Sequence, residues 1–203
     1  MSSRRLGAKS SETRSQLIDA ADQILKQEGS AALTARKVAD KIGLSRHIVN
    51  YYFGSMEELI VAILQRDRSN FRELYRAALE SDDPLRIITQ RGIDISAKNF
   101  DLIALAFRYD AVRSELTQAI EEFRTLQTEI LTRHLDARGI QPSVAPMVTA
   151  SILQILSQTI SAEAAIGVTC GHDQIRSYID SWLEMFATKG LSPVIDSDST
   201  RPA

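Results

Sequence analysis

No stretch of this 203-residue chain sustains the period-two alternation of apolar and polar residues that a half-buried strand requires. Apolar residues recur instead at spacings of three and four, in segments separated by nine glycines and five prolines. Such a pattern predicts an all-α fold, with about nine helices. The chain is 44% hydrophobic and 25% charged, an ordinary globular balance that argues against disorder, collagen and coiled-coil readings. A chain of this length can bury roughly 70% of its unfolded surface without covalent staples. The single cysteine, Cys170, leaves no intramolecular disulfide to form. The start Met1-Ser2-Ser3-Arg4-Arg5 leads into no apolar signal segment, and no uncharged apolar run of about 18 residues follows it. No membrane partner is therefore expected, and the reducing cytoplasm is the expected compartment.

The punctuation divides the chain into elements. Leu17, Ile18, Ala21, Ile24 and Leu25 form one apolar stripe, so a first helix is expected from about Ser11 to Glu28, closed by Gly29. Thr34 can cap a short helix from Ala35 to Ile42, stopped by Gly43. Ser45 can cap another from Arg46 to Tyr52. Ser55-Met56-Glu57-Glu58 reads as a capping box that opens a long helix, with Leu59, Ile60, Ile63, Leu64, Phe71, Leu74, Tyr75 and Ala78 on its inner side. Asp82-Asp83-Pro84 supplies the start of a helix to about Ala97. One or two short helices are expected over Phe100 to Leu116, then a longer one from Gln118 to Ala137 before Gly139. A helix beginning near Pro146 runs to about Ile166, and a final amphipathic one carries Ile175, Ile179, Trp182 and Phe186 as far as Lys189. The domain plan is a head over 1–54 with a flexible arm at 1–10, a helical body over 55–190, and a disordered tail over 191–203.

Charge is unevenly spread. Residues 1 to 50 hold nine Lys/Arg against five Asp/Glu, net +4, while the whole chain is net −2. A basic quarter on an acidic remainder suits a nucleic-acid-binding head on a non-binding body, and equally suits a solvated basic face.

Two short helices joined by Gly43-Leu44-Ser45 have the dimensions of a helix-turn-helix. The run from Leu33 to Leu59, with Thr34 opening the first helix, Val38-Ala39, Gly43-Leu44-Ser45 at the turn, Tyr51-Tyr52-Phe53 closing the second and Ser55-Met56-Glu57-Glu58-Leu59 beyond, resembles the DNA-binding head of the tetracycline repressor (TetR) family. The likeness covers about residues 11 to 60. Val38, Ile42, Leu44, Val49 and Phe53 can turn inward against the first helix, which leaves Arg46, His47, Ile48, Asn50, Tyr51 and Tyr52 outward. Arginine can bridge guanine O6 and N7, asparagine can bridge adenine N6 and N7, and Ile48 can meet a thymine methyl. The resemblance further implies that Arg36 reaches a base, that Thr34 and Ala35 lie at phosphates, that Ser45 belongs to the DNA-contacting set, and that Tyr51 and Tyr52 clamp the backbone.

Four positions depart from the family's usual residues: His47-Ile48 in place of Gly-Thr, Asn50 in place of tyrosine, and Met56 in place of a lysine. The last removes one expected phosphate contact. The basic residues Arg4, Arg5, Lys9 and Arg14 can add contacts from the amino terminus. His47, His134 and His172 are far apart, and neither a His-x-x-x-His nor a Cys-x-x-Cys pattern occurs. No metal, cofactor or catalytic site is expected, and the chain is not expected to be an enzyme.

About 140 residues beyond the head need a purpose, and dimerisation and ligand sensing are the two candidates. For the first, Ser157 and Ser161 lie on a small-residue helix face that permits close backbone approach, and Ile175, Ile179, Trp182 and Phe186 form the final apolar stripe. Pairing with their copies would give a four-helix interface, as the resemblance implies. For the second, Phe107 and Phe123, with Arg91, Asn99, Gln127 and Gln154, are the expected lining of an apolar cavity with polar anchors. The whole reads as a homodimeric transcriptional regulator, a repressor released from a palindromic double-stranded operator by an unknown small-molecule effector. The alternative is a small-molecule-binding or carrier protein whose head no longer binds DNA.

Overall fold

The computed structural model describes residues 2–81, 84 and 96–188, with side chains over 11–81, 84, 98 and 100–181. Among the described residues there are eight α-helices and no strand: α1 (Ser2–Glu28), α2 (Ala35–Lys41), α3 (His47–Phe53), α4 (Met56–Leu79), α5 (Ser96–Ala106), α6 (Asp110–Asp136), α7 (Pro146–Ala165) and α8 (His172–Thr188). The all-α expectation is met. The helix expected from Pro84 to Ala97, and the tail from 191, lie outside the described residues apart from Pro84 and the start of α5. No described helix is long and apolar enough to cross a membrane.

Local sequence explains most boundaries. Gly29, Gly139 and Gly167 follow helix ends with φ of 79°, 65° and 89°, a region that costs a residue with a Cβ but not glycine. Pro146 sits in the first turn of α7, where its missing N–H costs nothing. Two boundaries differ from expectation. α1 begins at Ser2 and not near Ser11, so the stretch anticipated as a flexible arm is helical from its second residue. Arg4, Arg5, Leu6, Ala8 and Lys9 favour helix, and Gly7 alone does not break it. The break anticipated between Phe100 and Leu116 falls at residues 107–109, so the segment before Gln118 joins α6.

Two compact units divide the chain, Met1–Leu74 with Ile95–Phe123 and Tyr75–Asp94 with Arg124–Ala203. In the first unit the core has two clusters. Leu17, Ala21 and Ile24 of α1 pack with Val38, Val49, Phe53, Leu59, Ala62 and Ile63. Leu25 packs with Ile60, Val61, Leu64, Leu102, Ala106, Val112 and Leu116. The six residues Leu59 to Leu64 are therefore all buried, and α4 shares them between the two clusters.

Charged side chains tie the same helices together. Lys98 of α5, only 7% exposed, reaches Asp22 of α1 at 2.6 Å and also Asp67 of α4. Asp22 receives Lys26 at 2.8 Å and Arg66 at 3.0 Å, and Arg66 also holds Asp19. Further along α4, Arg68 meets Glu115 at 2.9 Å and Arg72 holds Glu122 at 2.8 Å on α6. Glu57 of α4 accepts the Ala111 N–H at 3.2 Å, which satisfies one of the orphan donors at the start of α6.

Burial by itself would raise the Asp22 carboxyl, but the hydrogen bonds and charges of Lys26 and Lys98 outweigh it and hold the group below its usual range. A depressed folded value means that Asp22 contributes stability above the ordinary aspartate value of about 3.9, lost as pH falls through the folded value. Thermal midpoints measured from pH 7 to pH 2.5 are expected to fall more steeply below about pH 4 for the parent than for Asp22→Asn.

Candidate nucleic-acid interface

The geometry of α2 and α3 follows from three caps. Thr34 is extended, and its Oγ1 accepts the Lys37 N–H at 3.2 Å, which starts α2. After Lys41 the chain turns at Gly43, φ 70°, and the Leu44 N–H returns to the Ala39 carbonyl at 2.9 Å. The Ser45 carbonyl accepts the Ile48 N–H at 2.9 Å and its Oγ accepts the His47 N–H at 3.4 Å, so α3 begins at His47, one residue later than expected. Gly54, φ 76°, closes α3. Ser55 Oγ accepts the Glu58 N–H at 3.1 Å, the serine half of the expected capping box.

Val38, Val49 and Phe53 are buried as expected, and Ile42 is half-buried against them. Leu44 departs from expectation: it stands exposed in the turn, where its backbone and not its side chain makes the tie to α2. On the outer side of α3, Arg46, His47 and Asn50 are exposed and Tyr51 is 78% exposed. Ile48 and Tyr52, also expected outward, are half-buried against the head's core. Positions 48 and 52 are one helical turn apart and flank the buried stripe through 49 and 53, so the core takes part of each. The Tyr51 and Tyr52 rings meet edge to face with centroids 5.0 Å apart. Tyr52 is thus a fixed base against which Tyr51 is held out.

On α2, Thr34 and Arg36 are exposed and Ala35 is half-buried. Arg36 faces Asp40 at 3.6 Å on its own helix, a loose solvent-exposed pair that leaves the guanidinium available. Lys37 pairs back to Glu28 of α1. Arg14 lies over the Phe53 ring at 5.0 Å, so this member of the basic amino-terminal set covers the end of α3. The exposed residues are Arg36, Asp40 and Lys41 on α2, Arg46 at the cap of α3, and His47, Asn50 and Tyr51 on α3, which carries no carboxylate.

Residues 17–63 match the family model of bacterial regulatory proteins of the tetR family, the span that holds both short helices and their caps. The head of the chain, residues 17–63, belongs to the TetR family. It is 29% identical over 172 residues to the HTH-type transcriptional regulator BetI of Rhizobium meliloti, covering 77% of this chain and 85% of that protein. It is 28% identical over 138 residues to the regulator CymR of Pseudomonas putida, covering 64% and 68%. Among solved structures, a transcriptional regulator from Saccharomonospora viridis in complex with choline aligns with TM-score 0.70 at 16% identity, over 86% of this chain and 96% of that one. E. coli NemR in its reduced form aligns with TM-score 0.72 at 16% identity, over 84% and 98%. These structural likenesses concern the fold. TetR-family members are transcriptional regulators and not enzymes.

The residues expected in the body are distributed unevenly. Gln127 and Gln154 are buried in the second unit, where Arg124 Nε donates to Gln154 Oε1 at 2.9 Å. Burial pushes the neighbouring Tyr75 phenol far above the usual tyrosine range, a hydrogen bond with Gln127 opposing it. Phe123, in the first unit, stacks edge to face on Phe71 at 4.9 Å. Phe107 is a correction: at 84% exposed it lines no interior, because α5 ends at Ala106 and the following turn carries the ring outward. Arg91 and the side chains of Asn99, Trp182 and Phe186 lie outside the described residues. Ser157, Ser161, Ile175 and Ile179 are half-buried. The exposed apolar residues nearby include Val148, Ile152 and Ile155 on α7 and Tyr178 on α8, which sequence reasoning missed. Their spacing of three and four within α7 was the available signal.

Because Thr34 supplies a side-chain acceptor at the start of a helix only seven residues long, Thr34→Ala is expected to lower stability by about 1 kcal/mol, and Thr34→Ser to restore most of it. Urea unfolding of the three proteins checks this.

Proposed function

We propose that this TetR-family regulator binds a palindromic operator as a homodimer and represses until a small molecule releases it. The observation that carries the DNA-binding part is the exposed set on α3, Arg46, His47, Asn50 and Tyr51, on a helix whose other side is fastened into the core. A helix so anchored can enter a major groove with its polar side chains leading. Arg46 and Asn50 would then read base edges with His47, and Ile48, half-buried, would offer what remains of its side chain to a methyl group. Thr34, Ala35, Ser45, Tyr51 and Tyr52 would lie along the phosphates, and Arg36 would reach a base. Two copies must present α3 to successive grooves about 34 Å apart.

The apolar face of α7 supports the dimer. Ile152 and Ile155 are each 51% exposed, with Val148 one turn before them, an apolar strip along α7 that a second copy would cover. Ser157, Ser161, Ile175 and Ile179 border it, and Trp182 and Phe186 continue the α8 stripe in the sequence. At the far end His172, buried, meets Glu163 at 2.8 Å, which holds the start of α8 against α7. An antiparallel four-helix pairing of α7 and α8 with their copies would cover this face.

For the effector, the support is the buried polar group of the second unit, Gln127, Gln154 and Tyr75 with the half-buried Arg124. Polar side chains gathered in an apolar helical interior are the usual anchors of a small molecule. A solved neighbour from Saccharomonospora viridis holds choline, and an effector of this chain is proposed to occupy its body in the same way. By linkage, the effector must weaken the operator by the same factor as the operator weakens the effector.

Selection of duplexes from a random pool is the direct test, and a palindromic consensus is expected. Arg46→Ala and Asn50→Ala should each cost roughly 1–3 kcal/mol and relax preference at particular base pairs, whereas Tyr51→Phe should weaken all duplexes about equally. Retention of the parent consensus by Asn50→Ala would remove it from the base-reading set. Ile152→Glu combined with Ile155→Glu is expected to yield folded monomer by light scattering at micromolar concentration, with tight operator binding lost. A double variant that stayed dimeric would place the interface elsewhere.

A further inference from the structure

We propose that the effector site of the second unit takes an anion, a small amphiphile whose carboxylate pairs with Arg124 and whose hydroxyl or N–H donor meets Gln127. The inference rests on the effector reading above and adds to it the charge and the polar pattern of the molecule sensed.

An arginine without a counter-charge is the first sign. Among the described residues three arginines are half-buried, Arg66, Arg68 and Arg124. Arg66 holds Asp19 and Asp22, and Arg68 meets Glu115 at 2.9 Å. Arg124 meets no carboxylate among the described residues: its Nε donates to Gln154 Oε1 at 2.9 Å, an uncharged partner. That leaves the terminal nitrogens of its guanidinium, a planar fork of donors suited to both oxygens of a carboxylate. Its own unit does not supply the charge. The half-buried acids there are engaged, Glu129 by Arg133 and Glu163 by His172 at 2.8 Å, and no described carboxylate of the unit is buried.

Gln127 gives the second sign. It lies one turn beyond Arg124 on the same face of α6 and is 8% exposed. Its amide N–H serves the Tyr75 phenol, since the bond between them favours the ionised oxygen. Its Oε1 is buried and accepts no hydrogen bond from the described residues. Folded proteins rarely leave a buried acceptor without a donor, and a ligand's hydroxyl would satisfy this one. Residues three apart on a helix are close neighbours, so the ligand's donor belongs near its carboxylate, as in a β-hydroxy acid.

Beside these groups the surroundings turn apolar. On each helix the adjoining buried position of that face is hydrophobic: Ala78 after Tyr75 on α4, Leu131 after Gln127 on α6 and Ala150 before Gln154 on α7. Two of the three are alanine, whose short side chains leave room for hydrocarbon. Choline, the ligand of the Saccharomonospora viridis regulator, would be poorly served here. A quaternary ammonium needs a carboxylate or several ring faces. It would instead lie beside a guanidinium, with Tyr75 the only buried tyrosine, phenylalanine or tryptophan among the described residues of the unit.

The test titrates full-length protein with butanoate, hexanoate, octanoate and β-hydroxyoctanoate, with the amides of the first three, and with alkyltrimethylammonium ions of the same chain lengths. Binding is read from the thermal midpoint, and release from a labelled duplex recovered by selection. The best acid is expected to bind about tenfold or more tighter than its amide, as a charge-assisted pair implies, with the trimethylammonium ions weakest. Arg124→Gln should bring the acid-to-amide ratio below about twofold, and Arg124→Lys should keep part of it. β-Hydroxyoctanoate should bind the parent about threefold or more tighter than octanoate, an advantage that Gln127→Leu removes. If Arg124→Gln does not fold, the ratios of the parent decide. Trimethylammonium ions that bind as tightly as the acids overturn the proposal, and if they release the duplex the effector reading still stands. An acid preference that survives Arg124→Gln, or no binding by any member of the series, also overturns it. Equal binding of octanoate and its β-hydroxy form overturns the assignment of Gln127. Acids that bind through Arg124 without loosening the duplex support the anion site and defeat the effector reading instead.

Discussion

Everything in the first unit depends on the burial of one short stretch of α4, beginning at its fourth residue. Six consecutive residues, Leu59 to Leu64, are removed from water, which a helix achieves only when it is enclosed on more than one side. Leu59, Ala62 and Ile63 turn toward the helix-turn-helix, while Ile60, Val61 and Leu64 turn toward α5 and α6. At roughly 1.5–3 kcal/mol for each large apolar side chain taken from water, this short stretch is among the strongest single contributions to the unit. Neither cluster is complete without it. The head, the last turns of α5 and the first turns of α6 are consequently one packing problem and not two.

Around that apolar centre the polar contacts fix alignment more than they add stability. Exposed pairs such as Arg36 with Asp40 are worth little in water. The pairs along α4 differ because they are partly screened from solvent and occur in series: Arg66, Arg68 and Arg72 each reach a carboxylate on another helix. Arg72 holds the Glu122 carboxyl below its usual range through a direct hydrogen bond. A displacement of α4 along its axis would unpair them together.

What could be read from the sequence was what local chemistry decides. Thr34, Ser55, Gly29, Gly43 and Pro146 act where capping and backbone preference predict, since each works within a few residues of itself. The helical register of Val38, Val49 and Phe53 was legible for the same reason. Leu44 and Phe107 were misread because both lie in turns, where an apolar side chain has no periodicity to orient it. Ile48 and Tyr52 sit at the edge of the buried stripe, and only the packed neighbours determine how much of each is covered. Lys98 with Asp22, separated by 76 residues, leaves no local trace. A lysine in a helix reads as a solvated residue until the fold brings two aspartates to it.

The same cluster sets a boundary for anyone who would exchange heads between regulators of this kind. A graft cut at Gly54 would transplant Asp22 but leave behind Arg66, Asp67 and Lys98. The recipient body would then have to meet a buried carboxylate with whatever side chains it happens to carry. A transferable module must take its counter-charges along, so the portable unit includes the first half of α4 and the first turns of α5, although these are discontinuous in the chain.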